Sequence, residues 1–147
     1  MERRLEVSVA NQEMLLIEND EAIASYSIST AKNGLGCDEG SNCTPTGRFE
    51  IAEKIGGAAS MGTIFKGRKP LGRWEAGQAT DEDLVLTRIL WLNGLDPENA
   101  NTKDRYIYIH GTNQETLIGQ PVSHGCVRMR NEDVMELFEM ISKGVQV

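Results

Sequence analysis

Three short runs near the N-terminus carry a pattern that extended chain satisfies and helix does not. "LEVSV" (5–9) alternates with period two, "MLLIE" (14–18) is a compact apolar run, and "AIASYSIS" (22–29) alternates again. Side chains two apart in a strand share a face, so alternation of this kind lays one face on a core and the other in water. The breaks between the runs, "ANQE" and "NDE", are short and polar and read as hairpin turns. The chain therefore begins as an antiparallel meander, and whatever follows must pack onto or extend that sheet.

The rest of the chain keeps to this plan. Residues 31–47, "AKNGLGCDEGSNCTPTG", are rich in Gly, Ser, Asn and Pro and read as a loop. "RFEIAEKI" (48–55), "LVLTRILWL" (84–92) and "RYIYIHG" (105–111) read as strands, with branched and aromatic residues in abundance. Residues 56–80 are Gly-rich without clear periodicity and read as a long excursion. One helix is predicted, "NEDVMELFEMIS" (131–142), with Asn131 as N-cap and Val134, Leu137, Phe138 and Ile141 on one face. Gly144 ends it, and "VQV" adds a last short strand. The expectation is a mostly β fold with one C-terminal-region α-helix, in a single domain spanning 1–147, a length that suits one core.

Charge removes several functions. Fifteen Lys and Arg against 22 Asp and Glu leave a net charge of -7. Binders of nucleic acid or of anionic membrane need a basic face, so neither partner is expected. No run approaches the ~18 apolar residues of a membrane span. The start "MERRLEVSV" has two arginines but no following apolar stretch of a secretion signal. Read literally, the chain stays in the cytoplasm; the alternative is an exported protein whose signal has been removed.

The chemistry concentrates in "VSHGCVRM" (122–129). The chain has two histidines and three cysteines, and His124 and Cys126 lie inside this stretch, with His110 just upstream in "IYIHGTN". A cysteine attacks as thiolate, which needs a nearby imidazolium or donors to lower its pKa. A histidine base, a group that orients it and backbone N–H donors complete such a site. His124, two residues from Cys126, shares its face in extended chain, and His110 ends a predicted strand that a neighbour can bring against the thiol. Gly111 and Gly125 allow close approach of a substrate, and Arg128 offers a planar fork to a carboxylate. The competing readings are a buried core thiol and a metal site. Neither Cys37, Cys43 and Cys126 nor the histidines show a zinc spacing, so no metal or other cofactor is expected. Ser123 lacks the G-x-S-x-G surroundings of a hydrolase nucleophile. Cys37 and Cys43 read as incidental thiols or a local disulfide.

"IHGTNQETLIGQPVSHGCVRMRNEDVMEL" resembles the signature of the YkuD-type L,D-transpeptidases: a His-Gly followed some dozen residues later by Ser-His-Gly-Cys, a branched residue and Arg. "TPTGRFEI" (44–51) resembles the family's Pro-Thr-Gly turn into a strand. The resemblance spans most of the chain from about Leu5. It implies a β-sandwich-like catalytic domain that performs cysteine acyl transfer on peptidoglycan stem peptides. It further implies Cys126 as nucleophile, His110 as general base, and the Gly111 carbonyl as the group that orients the imidazole. His124, Gly125 and Cys126 shape the oxyanion hole, Arg128 holds an acyl-donor carboxylate and Ser123 supports the loop.

The implied donor is a tetrapeptide stem whose third residue is a diamino acid. Its terminal D-alanine leaves, and the thioester passes to water or to an amine. Without an export signal, a wall-binding module or a basic surface, the chain reads as an L,D-carboxypeptidase that trims recovered stem peptides. An exported transpeptidase that makes cross-links is the alternative. A non-catalytic domain that only binds muropeptides is a third reading, against which the Cys–His pair counts.

Overall fold

The computed structural model describes residues 3–74 and 84–147. The meander is present: β1 (Arg3–Ser8), β2 (Glu13–Glu18) and β3 (Glu21–Ser29) pair antiparallel in sequence. Asn19 and Asp20 both take positive φ, 51° and 68°, the left-handed pair that a two-residue hairpin turn uses and that Asn and Asp tolerate well. β4 (Phe49–Ile55) and β7 (Val85–Gly94) pair antiparallel over most of their lengths. β7 also carries β8 (Tyr108–Thr112) on its other side, and β8 pairs in parallel with β9 (Val127–Met129). β9 returns to pair with β3, so the N-terminal meander and the later strands form one sheet.

Hydrogen bonding then runs on past the helix. The Leu5 N–H donates to Gln146 O at 2.9 Å, while Phe49 and Val147 exchange bonds of 3.0 and 2.8 Å. Residues 145–147 thereby lie between β1 and β4 and join the two edges through isolated bridges at Gln146, where "VQV" was expected to add a short strand. Inside sits one apolar cluster from every wall: Leu5, Met14, Leu16, Ile28, Ile51, Leu90, Ile109, Val127 and Met129, each at most 3% exposed. The helix α1 (Asn131–Met140) adds Val134, Leu137 and Phe138 to it. The protein is mostly β with one helix, as expected. No helix among the described residues is long and apolar enough to cross a membrane.

Two expectations are corrected. Residues 56–80 are not a plain excursion: β5 (Thr63–Lys66) and β6 (Lys69–Arg73) form a hairpin that pairs with β7 through Ile64 and Phe65. Periodicity missed it because every residue of β6 is exposed and Pro70 interrupts the run. The part of that stretch beyond residue 74 lies outside the described residues. The helix begins with Arg130, not Asn131, at the N-cap position, and ends at Met140. The Asn131 side chain is engaged with Thr87 and Thr112 instead of capping, while Glu115 Oε2 accepts the Asn131 N–H at 2.9 Å.

Candidate active site

Strand register brings the candidates together. Ile109 pairs with Val127 and His110 with Arg128 across the parallel β8–β9 ladder. Ile109, Val127 and Met129 point into the main core, so by alternation Tyr108, His110, Cys126 and Arg128 share the opposite face. There Cys126 packs with a smaller cluster of Phe65, Ile89 and Tyr108. From the register, the Cα atoms of Cys126 and His110 stand roughly 8 Å apart, two residues along and one strand across. The thiol is half-buried at the point where the loop enters β9. The Tyr108 N–H donates to Cys126 Sγ at 3.3 Å, and the thiol donates to Tyr106 O at 3.5 Å.

His110 is only 2% exposed. Its Nδ1 lies 2.5 Å from Gly111 O. A carbonyl only accepts, so Nδ1 carries the hydrogen and, in the neutral ring, Nε2 keeps its lone pair. Gly111 is fixed in turn. A β-carbon there would fall on the side chain of Asn131 and within 2.7 Å of Leu86 O. Asn131 donates through Nδ2 to Thr112 O at 2.9 Å and accepts from the Thr87 hydroxyl at 2.6 Å. Thr87 stands at an irregularity in β7 with φ +75° and no exposure, a left-handed conformation that a β-branched residue adopts only under constraint.

The loop before the nucleophile is clamped by short polar contacts. The Ser123 hydroxyl donates to Cys126 O at 2.6 Å and accepts the Gly125 N–H at 3.3 Å. Gly125 has φ +126°, and a β-carbon there would press on Cys43 O and Ile107. Thr44, from the Gly-rich loop, donates to Gly125 O at 3.0 Å and accepts the Ala31 N–H at 2.9 Å. His124 is exposed, whereas Arg128 is 2% exposed and donates to Gln114 Oε1 at 2.8 Å. Cys37 and Cys43 are free thiols. An apolar cavity of about 370 Å³, lined in part by Leu35, Thr44, Ile107 and Val127, opens on the core face and so lies behind the sheet from Cys126.

Several participants gave no signal in sequence. Thr87, Gln114 and Glu115 are unremarkable polar residues, and Asn131 reads only as a helix cap, until the fold assembles them behind His110 and Arg128. The aromatic group next to the thiol was equally hidden. Trp91 stands edge-on to Tyr108, with centroids 5.7 Å apart, and Tyr106 holds a φ of +58° while more than half exposed. Burial pushes the Tyr108 phenol up, and the hydrogen bond from Arg68 pulls against it.

Comparison with known proteins follows the same lines. The sequence profile of the L,D-transpeptidase catalytic domain (YkuD) matches residues 2–147. YqjB of Bacillus subtilis, a relative named as an L,D-transpeptidase, is 29% identical over 141 residues, which cover 96% of this chain and 67% of YqjB. YbiS of Escherichia coli is 56% identical over 43 residues, 29% of this chain and 14% of that protein. Among solved structures, an L,D-transpeptidase of Xylanimonas cellulosilytica superposes with a TM-score of 0.65 at 17% identity, over 99% of this chain and 59% of that one. The catalytic domain of the Enterococcus faecium enzyme, solved acylated by ertapenem, superposes with a TM-score of 0.58 at 22% identity, over 100% of this chain and 96% of that one. The profile match over nearly the whole length, on a fold these structures share, makes the chain an enzyme domain of the YkuD family of L,D-transpeptidase catalytic domains.

Proposed function

We propose that the protein is a cysteine acyl-transfer enzyme that removes the terminal D-alanine from peptidoglycan stem tetrapeptides, an L,D-carboxypeptidase. The observation that carries the reading is the shared sheet face of Cys126 and His110, with the His110 Nδ1 hydrogen committed to Gly111 O. Nε2 of His110 takes the Cys126 proton. The thiolate attacks the carbonyl on the L-centre of the third, diamino residue, and the oxyanion accepts hydrogen bonds from the backbone N–H groups of Gly125 and Cys126. His124 shapes that pocket from its exposed position, and Ser123 holds the loop in place. The peptide bond breaks as the imidazolium returns its proton to the departing amine of D-alanine. Water then attacks the thioester, loses a proton to His110, and the thiol is restored. Arg128 holds an acyl-donor carboxylate. Water as the acceptor is favoured by the chain's net charge of -7, which opposes retention on an anionic wall.

The test is to incubate the protein with free or disaccharide-linked tetrapeptide and follow products by mass. Tripeptide plus D-alanine, without dimer even when a second stem amine is abundant, is the expected result. Efficient formation of cross-linked dimers, or exchange of D-alanine for an added D-amino acid faster than hydrolysis, would replace the carboxypeptidase with a transpeptidase.

A further inference from the structure

The β5–β6 hairpin turns through Gly67 and Arg68, with φ of +57° and +65°. Lys66 and Lys69 close the turn as a pair. Two successive left-handed residues are what a tight hairpin of this kind needs, and glycine or asparagine ordinarily fills them. Arginine in the second place is a strained choice, and its side chain shows what the strain positions. Nη1 of Arg68 donates to the Tyr108 hydroxyl at 3.2 Å, and the guanidinium carbon lies 4.7 Å from the ring centre of Trp91 and 5.1 Å from that of Tyr106. Lys103 Nζ stands 5.0 Å from the same Trp91 ring.

In a chain with 22 acidic residues, Arg68 forms no ion pair with any described carboxylate, unlike Arg3, Arg4 and Arg48. A guanidinium held against aromatic faces, with one neutral oxygen as partner, keeps N–H donors for an anion. The anchors that hold it are the residues that touch the nucleophile: the Tyr106 carbonyl takes the thiol hydrogen and the Tyr108 N–H meets the sulfur. Arg128 lies two residues beyond Cys126, in β9, and is engaged with Gln114 rather than with these aromatic residues.

We infer that Arg68 is a substrate-binding residue that receives a second carboxylate of the stem peptide, distinct from the one assigned to Arg128. The inference rests on the stem-peptide reading above. A stem peptide seated at Cys126 carries more than one carboxylate, and Arg68, held on the aromatic residues whose backbone touches the sulfur, is within reach of one that Arg128 does not hold.

Binding of the free tetrapeptide to the Cys126→Ser protein, measured by calorimetry, tests this without turnover. Arg68→Gly in that background weakens binding about tenfold or more, the scale of a charge-assisted contact, and Arg68→Lys falls between. Among tetrapeptides amidated at one carboxylate at a time, one loses affinity for the Arg68 protein but suffers no further loss from Arg68→Gly. Because glycine suits a left-handed turn, the Arg68→Gly melting temperature is unchanged or higher, which separates lost recognition from misfolding. Equal binding with and without Arg68, a uniform loss across all amidated peptides, or no binding of the free stem at all would overturn the inference. Binding that depends on Arg68, with no turnover by the Cys126 protein, would overturn the proposed reaction and leave the receptor standing. Turnover that ignores Arg68 would do the reverse.

Discussion

The side-chain oxygen of Asn131 fills the volume that a β-carbon on Gly111 would need. The helix start thereby fixes the peptide whose carbonyl aligns His110. Gly111→Ala forces Asn131 or the Leu86 carbonyl to move, an overpacking cost of about 1–3 kcal/mol. Urea unfolding checks the stability, and turnover is expected to fall further than the unfolding midpoint explains, because the ring of His110 moves with the peptide.

Cys126→Ser is expected to lower turnover by at least about 10²-fold, since an alkoxide is much harder to generate near neutral pH than a thiolate. Cys37→Ser and Cys43→Ser retain most activity. A mass shift of the intact protein on acylation, present in both of those variants and absent for Cys126→Ser, is the direct check.

His110→Ala is expected to cost on the order of 10²–10⁴ in rate, the range for a lost general acid–base. His124→Ala costs less, because the exposed ring of His124 is proposed to shape the pocket rather than to carry a proton. Comparison of kcat for the two variants decides the assignment; a larger loss at His124 would reverse it.

Arg128→Ala is expected to lower kcat/KM by about 10- to 150-fold, the equivalent of ~1.5–3 kcal/mol for a charge-assisted contact. Arg128→Lys recovers part of the loss, because a point charge does not reproduce the fork that also reaches Gln114. Steady-state kinetics on the tetrapeptide measures both.

Tyr26 gives the fold an alkaline limit. Burial, with the charge of Glu136 adding to it, pushes its phenol up to about 12 from an ordinary 10. The folded state thus holds this proton more tightly than the unfolded chain does. The stability it brings is full below pH 10 and is lost as pH rises from 10 to about 12. Tyr26→Phe should flatten that part of the stability profile, as read from urea midpoints across the range.

The strands that were readable in sequence are those with one wet and one dry face, such as β3, or with a dense branched run, such as β7. β9 was not, because a three-residue strand between β3 and β8 is too short for a period to show. β6 was not, because it has no buried face. The Ser123–Arg128 stretch was legible because its chemistry is written in rare residue types at close spacing. Its supports were not. Thr44 reaches Gly125 from 81 positions away, and Thr87 reaches Asn131 from 44 away. Arg68 joins Tyr108 only because the hairpin folds onto β7, a fact of pairing that composition does not encode.

The place of residues 145–147 between β1 and β4 bears on how the chain is made. β1 is translated before residues 145–147, and its outer edge waits for that partner until nearly 140 more residues have left the ribosome. Contacts so far apart in sequence form late and slowly. A nascent chain that already contains Cys126 therefore has a thiol before it has a closed ring around the core beneath it. A chain clipped before residue 145 leaves the outer edge of β1 open, and an unpaired strand edge is a template for pairing with other chains.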